Sequence, residues 1–311
     1  MKKILLVGSA NMDLSMNLFR IPEVGETLLD DGGVAYTPGG KGANSAVAFA
    51  KLGGECVFCT KLGKDAHGQR LFNYYKECGI NTSCIKVDPE APTGLAVVMK
   101  EADGNNRIVV YPGANTTLNN DNIIEAFKSN PDALYIGFEI PFNMAVAAAK
   151  VAAVKNIPVF VDAAPASKSY SLEALPPVEI FSPNETETFE YTGIMPNGTD
   201  SCLKAAYILY NKVKTKYIVL KLGARGSFFY DGKYFDLVPS FRSEEVVDTT
   251  AAGDTFTAAM TLEYLRTKDI RRAMVYGSAA AAIAVSRKGA GASVPSAAEV
   301  EEFLEKRAKR T

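Results

Sequence analysis

The stretch VDTTAAGDTF, residues 247–256, decides the fold predicted for this chain. It follows an extended run and leads into a helical pattern, because the apolar residues from Phe256 to Tyr264 are spaced to share one helix face. The small residues of the stretch therefore lie at a predicted helix N-terminus. Free backbone N–H groups and the helix dipole favour a negative charge there, and small side chains let a bulky anion approach. The stretch predicts a helix start that suits a phosphate group.

Asp254 lies in the first turn of this predicted helix. A carboxylate in that place can accept a proton from a substrate hydroxyl while the helix amides hold a phosphoryl group. Taken alone, the pattern is more typical of an ordinary helix cap, because Asp and Thr are common caps and short motifs have many false positives. The rest of the chain has to decide between these interpretations.

Composition limits the classes of partner. The 311 residues are 47% hydrophobic and 22% charged, which is ordinary for a soluble globular protein with a substantial core. The chain has 34 Lys and Arg against 35 Asp and Glu, so no nucleic acid and no membrane surface is expected as a partner. The apolar run at the amino end is too short for a signal sequence, and no later stretch reaches membrane-spanning length without charges. We expect a cytoplasmic protein that binds a small molecule.

Cysteine and histidine usage argues against a disulfide framework or a zinc site. The five cysteines are an odd number in a long chain. Cys56 and Cys59 have C-x-x-C spacing but lie in a predicted strand, where residues three apart face opposite sides. We predict that both are small core residues. The single histidine, His67, is predicted to lie at a helix start.

Strand and helix patterns alternate from about Ile123 to the end, which predicts parallel strands joined by crossover helices. Two β-rich segments stand apart, at about residues 14–36 and 93–111. The second holds alternating runs at 95–99 and 107–111 on either side of Asp-Gly-Asn-Asn, a hairpin signal. The predicted fold is a single α/β domain over residues 1–311: a three-layer, doubly wound, mainly parallel sheet. The two β-rich segments form a small inserted β-sheet lid that would exclude water from a site.

Candidate ligand contacts follow the first predicted strand and the next Gly-rich turn. Asn11 and Asp13 come after the strand, where open α/β sheets place ligand contacts, and both can bond hydroxyl groups. The turn PGGKGANS, residues 38–45, precedes an Ala-rich helix and lets the backbone approach a ligand closely. Lys41 and Asn44 add hydrogen-bond donors. Each feature alone is also explained by a turn or a cap.

Polar residues recur after later strands. Glu139 and Asp162 each follow a predicted strand, and Lys221 ends another. Asn184 and Glu187 follow a further one and are candidates for holding hydrated Mg²⁺, which needs few protein ligands. Any one of these residues is most simply a cap or a turn. Their repeated placement at one end of successive strands favours a site.

Four of these motifs occur in the order seen in the ribokinase-like (PfkB-type) sugar kinases: GGKGAN (39–44), NETE (184–187), GARG (223–226) and DTTAAGD (248–254). The chain resembles that family from Asn11 to the turn at 293–295. The resemblance implies ATP-dependent phosphorylation of the terminal hydroxymethyl group of a sugar. The likeness is greatest to the ribokinase branch, which implies D-ribose as the acceptor and ribose 5-phosphate as the product.

The resemblance also implies roles for individual residues. Asp254 matches the family's catalytic base, and the backbone amides of Ala251, Ala252, Gly253 and Asp254 match its anion hole. The implied sugar contacts are Asn11, Asp13, Gly39, Gly40, Lys41, Asn44, Glu139 and Asp254. The implied contacts to ATP and Mg²⁺ are Asn184, Glu187, Lys221, Gly223 and Gly226, with Ser278 beside the adenine. The positions that match the family's site for a monovalent cation, usually K⁺, are Asp248, Thr250, Ala284, Arg287, Gly289 and Ser293. Family members often dimerise through the lid sheet, which implies a homodimer.

The chain departs from the family pattern at a few positions. Ala251 replaces the first Gly of the usual signature, Ser278 stands where some members place a His, and Met12 is larger than the usual residue. Alternative activities within the family are those of a fructokinase, a nucleoside kinase or a keto-deoxy sugar kinase. A non-catalytic sugar-binding regulator is a further alternative. The presence of Asp254 and Lys41 argues against it.

Overall fold

The computed structural model describes residues 1–30, 32–101, 106–242 and 245–309. The strands in these ranges are β1 (Lys3–Val7), β2 (Asn11–Leu18), β3 (Val34–Gly39), β4 (Glu55–Gly63), β5 (Ile85–Asp88), β6 (Gly94–Glu101), β7 (Asn106–Tyr111), β8 (Ala133–Ile136), β9 (Val159–Asp162), β10 (Val178–Ser182), β11 (Thr215–Lys221), β12 (Ser227–Tyr230) and β13 (Phe235–Val238). The helices are α1 (Lys41–Lys51), α2 (Ala66–Glu77), α3 (Asn120–Ala126), α4 (Phe142–Val154), α5 (Glu185–Thr192), α6 (Thr199–Val213), α7 (Ala252–Thr267), α8 (Ile270–Ala284), α9 (Ala290–Ser293) and α10 (Ala297–Ala308). No helix in the described ranges is long and apolar enough to cross a membrane.

The large sheet has the strand order β13-β12-β11-β10-β9-β8-β1-β4-β5. Neighbouring strands from β11 to β5 run parallel, and β12 and β13 add an antiparallel edge. Strands such as β1 and β8 are continuous apolar runs because helices cover both faces of the sheet. Cys56 packs in one hydrophobic cluster and Cys59 in the other, as the alternation of strand side chains predicted. The three-layer, mainly parallel fold is confirmed.

A second sheet, called the small sheet below, has the order β3-β2-β6-β7. Its pairs β2/β3 and β6/β7 are antiparallel, whereas β2/β6 is parallel. The predicted hairpin is confirmed, since Leu95 pairs with Tyr111 and Met99 with Arg107. The predicted turn residues 103–105 lie outside the described residues.

The structure corrects the placement of Asn11 and Asp13. Both were predicted to follow the first strand as loop residues, but they lie inside β2 of the small sheet. Asn11 pairs with Gly39 on one side and Gly94 on the other. The chain therefore turns directly from the large sheet into the small one, and Met12, on the opposite side of β2, packs in the main hydrophobic core.

Candidate active site

Helix α7 begins at Ala252, and the residue before it has an unusual backbone conformation. Ala251, which precedes it, has φ of 61°, in the left-handed region that L-residues rarely adopt. The first regular helix bond runs from Thr255 N to Ala251 O at 2.8 Å. Ala252 N donates to Thr249 O at 3.2 Å, whereas the N–H groups of Gly253 and Asp254 have no acceptor four residues back within the helix and are available to an anion. A Cβ built on Gly253 would meet no atom within 4 Å, so there is open space beside this turn.

The carboxylate of Asp254 lies at this helix start and is 5% exposed. Asn44 Nδ2 donates to Asp254 Oδ2 at 2.9 Å, and Lys41 Nζ lies 3.9 Å from Oδ1. Burial raises the pKa of Asp254, and although Lys41 and Asn44 act in the opposite direction, the net direction is upward. In turn, attraction to Asp254 raises the pKa of Lys41. The arrangement is a buried carboxylate with one ammonium group and one amide beside it.

The Gly-rich turn brings Lys41 and Asn44 to Asp254 from a distant part of the sequence. Gly40 has φ of 88°, which favours glycine, and it precedes the first residue of α1. A Cβ on Gly42 would lie 2.5 Å from the backbone N of Ser9, so α1 approaches the chain between β1 and β2 closely. The glycines of this motif therefore allow two backbone segments to meet beside the Asp254 carboxylate.

Further acidic groups surround the same place. Glu139 Oε2 accepts hydrogen bonds from Lys41 N at 2.9 Å and from Ser9 Oγ at 2.6 Å. A Cβ on Gly39 would lie 2.1 Å from Asp13 Oδ2, so the carboxylate of Asp13 occupies the space that this glycine leaves. Burial raises the pKa of Asp13 to about 7, and the charge of Glu139 acts in the same direction. Such closely spaced acceptors suit a ligand with several hydroxyl groups.

Sequence reasoning missed Ser9 and Asn115. Ser9 is buried and holds the carboxylate of Glu139. Asn115 is buried and donates from Nδ2 to Asn11 Oδ1 at 2.8 Å. The only local signal for Asn115 was the Pro-Gly turn chemistry at residues 112–113 after the hairpin. A turn signal does not show which side chain the turn buries.

Asn184 and Glu187 form the N-cap of α5. Asn184 Oδ1 accepts from Glu187 N at 2.8 Å, and Glu187 Oε2 accepts from Asn184 N at 2.7 Å. A helix cap was the simpler interpretation of these two residues, and the structure contains that cap. Glu187 is also buried, and burial raises its pKa while Lys221 lowers it. Each oxygen of this carboxylate accepts one hydrogen bond from Asn184, which leaves further lone pairs for a water molecule.

Lys221 ends β11 and forms an ion pair with Asp162 at the end of β9. Its Nζ donates to Asp162 Oδ1 at 2.7 Å and lies 3.5 Å from Thr257 Oγ1 of α7. Tyr135 OH donates to the other oxygen of Asp162 at 3.3 Å. Within the described ranges no group of three or more His, Cys, Asp or Glu is arranged to hold a metal alone. Mg²⁺ keeps several waters and takes few protein ligands, so its binding does not require such a group.

The turn between β11 and β12 carries Gly223 and Gly226, with φ of 55° and 103°. A Cβ on Gly226 would lie 2.1 Å from Val238 O, so this backbone also packs closely against a neighbour. Ser278 is buried in α8, which packs against α7. The predicted nucleotide contacts thus lie on β11, the turn after it, α5 and α8.

The predicted cation positions lie in the segment before α7 and in the stretch from the end of α8 to the end of α9, and the structure joins these two parts of the chain. Asp248 Oδ1 accepts from Thr250 N at 2.9 Å, and its Oδ2 accepts from Gly289 N at 3.1 Å. Burial acts to raise the pKa of Asp248, but these hydrogen bonds prevail and lower it. The Ala284 carbonyl accepts from Arg287 N at 3.1 Å, and Ser293 is fully buried. Asp248 therefore ties the segment before α7 to the segment after α8 through its two carboxylate oxygens.

A buried carboxylate at a helix N-terminus, with an ammonium group and an amide beside it, can accept a proton from a hydroxyl while free helix amides hold an anion. Residues 1–297 match the sequence model of the pfkB family carbohydrate kinases, and the chain belongs to this family.

The chain is 35% identical over 308 residues to a ribokinase of Haemophilus influenzae, covering 98% of this chain and 99% of that protein. It is also 35% identical over 299 residues to a bifunctional ribokinase/ribose-5-phosphate isomerase A of Fructilactobacillus sanfranciscensis, covering 95% of this chain and spanning 55% of that longer relative. Among solved structures, ribokinase of Arabidopsis thaliana complexed with ribose and ATP is similar, with 31% identity and a TM-score of 0.89. That match covers 98% of this chain and 99% of the solved one.

Proposed function

We propose that this carbohydrate kinase transfers the γ-phosphoryl group of ATP to the terminal hydroxymethyl oxygen of D-ribose, giving ribose 5-phosphate. The observation that carries the proposal is Asp254, buried at the start of α7 and held by Asn44 and Lys41. Its substrates follow from the ribokinase relatives and from the ribose and ATP in the complex named above.

The chemistry follows from the positions of the groups. Asn11, Asp13 and Glu139 bond the hydroxyls of the sugar and direct its terminal hydroxyl toward Asp254. Asp254 accepts the proton as the hydroxyl oxygen attacks the γ-phosphorus; the O–H bond breaks, the new P–O bond forms and ADP leaves. The N–H groups of Gly253 and Asp254 stabilise the charge on the transferring group. The small sheet, as a lid, excludes water that would otherwise hydrolyse ATP.

Two metal ions complete the proposal. Asn184 and Glu187 would hold hydrated Mg²⁺, which offsets phosphate charge when bound. Asp248 and Ser293 would hold K⁺ together with the carbonyls of Thr250, Ala284, Arg287 and Gly289. A cation there would support the loop before α7.

The test measures ADP release from ATP and Mg²⁺ with D-ribose, 2-deoxyribose, D-fructose, a keto-deoxy sugar and a nucleoside, each with and without K⁺. Asp254→Asn is expected to bind ribose and ATP but to turn over about 10²–10⁴-fold more slowly. Asp121→Asn, an exposed change in the first turn of α3, is the matched control and retains activity. Turnover with a different sugar, and not with ribose, would change the proposed substrate. Near-normal turnover by Asp254→Asn would show that Asp254 is not the base.

We also propose that two copies associate through the small sheet. Val34, Val109 and Tyr111 lie on one face of its strands and are all more than half exposed, an apolar surface that favours a partner. Light scattering after size exclusion tests this association, with Val109→Lys expected to give monomers. A cytoplasmic location and a single domain over residues 1–311 stay predictions.

A further inference from the structure

Three of the four short chain segments that join the small sheet to the main body meet near one buried side chain; the fourth leaves β3 at Gly40. The segments enter β2 after Ala10 and β6 after Thr93, and leave β7 at Pro112. Asn115 lies in the 3₁₀ turn that follows Pro112 and is 1% exposed. Buried side-chain amides in proteins are hydrogen-bonded because an unpaired one is costly. The partners of Asn115 therefore show what holds this junction.

Asn115 bonds two of the segments at once. Its Oδ1 accepts from Ala10 N at 2.9 Å, while its Nδ2 lies 2.8 Å from Pro112 O and 3.2 Å from Ala10 O. The third segment passes against it, since a Cβ on Gly94 would lie 2.5 Å from Asn115 Nδ2 and 2.2 Å from Asn11 Oδ1. The Asn115 carboxamide thus connects the segment before β2 to the segment after β7. The start of β6 passes this close to it because position 94 is a glycine.

The same amide orients Asn11. Asn115 Nδ2 donates to Asn11 Oδ1 at 2.8 Å, and the Oδ1 and Nδ2 of a carboxamide lie on opposite sides. With its oxygen directed at Asn115, Asn11 turns both N–H donors away from that residue. Asn115 Nδ2 faces three acceptors with only two hydrogens, so its bonds can redistribute when the segments shift.

We propose that Asn115 is a positioning residue for sugar recognition: it directs the donors of Asn11 at the sugar and ties that contact to the junction of the small sheet. The proposal rests on the proposed function, in which Asn11 contacts the sugar. Loss of Asn115 leaves the Asn11 carboxamide free to rotate, which weakens sugar binding and leaves ATP binding largely intact.

The test compares Asn115→Ala, Asn11→Ala and the double variant with the wild-type protein, by steady-state kinetics and by calorimetric titration with ribose. We expect Asn115→Ala to raise the KM and Kd for ribose by about 10-fold or more and to leave the KM for ATP within about twofold. On the Asn11→Ala background the same change should add little, because both residues act through one contact. Thr116→Ala, an exposed position in the same turn, is the control and behaves as wild type.

Independent, additive losses in the two single variants would overturn the proposal, as would an unchanged ribose Kd in a folded Asn115→Ala. If Asn115→Ala does not fold, Asn115→Asp replaces it, since it keeps the acceptor for Ala10 N and removes the donors to Asn11. The wild-type protein is assayed first. Its failure to use any sugar would contradict the proposed function, whereas wild-type turnover with an insensitive Asn115 contradicts only this inference.

Discussion

Lys221 Nζ donates to Asp162 Oδ1 at 2.7 Å, and the two side chains are 12% and 4% exposed. The pair lies between Glu187 and α7, whose Thr257 hydroxyl is 3.5 Å from the same ammonium group. Burying two charges costs desolvation free energy, and removing one partner leaves the other unpaired in a place that water does not reach. A buried pair beside a proposed phosphate site is better explained by function than by stability.

Lys221→Met should lower the free energy of unfolding by about 3–5 kcal/mol, because the carboxylate of Asp162 then stays buried without its partner. The double variant Lys221→Met, Asp162→Asn should recover at least half of that loss in urea unfolding. It should still show a higher KM for ATP, since a positive charge is missing near the phosphates. A double variant with wild-type ATP affinity would show that the pair is purely structural.

Asn44→Ala should move the acidic side of the pH profile. Under the proposed mechanism activity requires Asp254 in its ionised form, so we expect kcat/KM to fall as the pH drops through the pKa of this group. The hydrogen bond from Asn44 favours the ionised form, and its removal raises the pKa of Asp254 further. We expect the acidic limb to shift to higher pH by about 1–2 units. Asn73→Ala, on the exposed side of α2, should leave the profile in place.

Asp13 should make the ligand-free protein less stable as pH rises. Burial raises its pKa from 3.8 to about 7, so between these values the folded state binds more protons than the unfolded state. Stability then falls with increasing pH across that window. Asp13→Asn should flatten this dependence, raising Tm at pH values above about 7 while weakening ribose binding. Asp200→Asn, an exposed change, is the control. If Asp13→Asn has the same Tm-versus-pH curve as the wild-type protein, the pKa of Asp13 is not raised by burial.

Ala251→Gly should not destabilise the protein. An L-residue in the left-handed region costs about 1–2 kcal/mol, and the gain from glycine is offset by roughly 0.5–1 kcal/mol of backbone entropy. With φ of 61° at Ala251, we expect a net gain of up to about 1 kcal/mol in chemical denaturation. The same change at Ala258, fully buried within α7, should be clearly destabilising. A large loss at position 251 would mean that its methyl group has a packing role.

Much of the fold was predictable because local patterns carry it. Alternating strand and helix patterns predicted a mainly parallel sheet with crossover helices, and the runs at 95–99 and 107–111 predicted the hairpin that β6 and β7 form. Boundaries were less predictable: Asn11 and Asp13 were expected in a loop, whereas pairing with Gly39 and Gly94 draws them into β2. Strand pairing depends on partners distant in sequence, which a local pattern does not contain.

The sequence alone determined the class of this protein, because the Gly-rich turn and the stretch around Asp254 impose backbone conformations that few residues permit. Tertiary structure alone decided how those pieces act together. It placed Asn44 at 2.9 Å from a carboxylate 210 positions away, paired Lys221 with Asp162, and buried Asn115 against Asn11. Such contacts arise where separate strands and helices converge at one edge of the sheet. Hydrogen bonds and ion pairs form only when the distance between their atoms is right to within a few tenths of an ångström. Only the packing of the whole chain sets those distances.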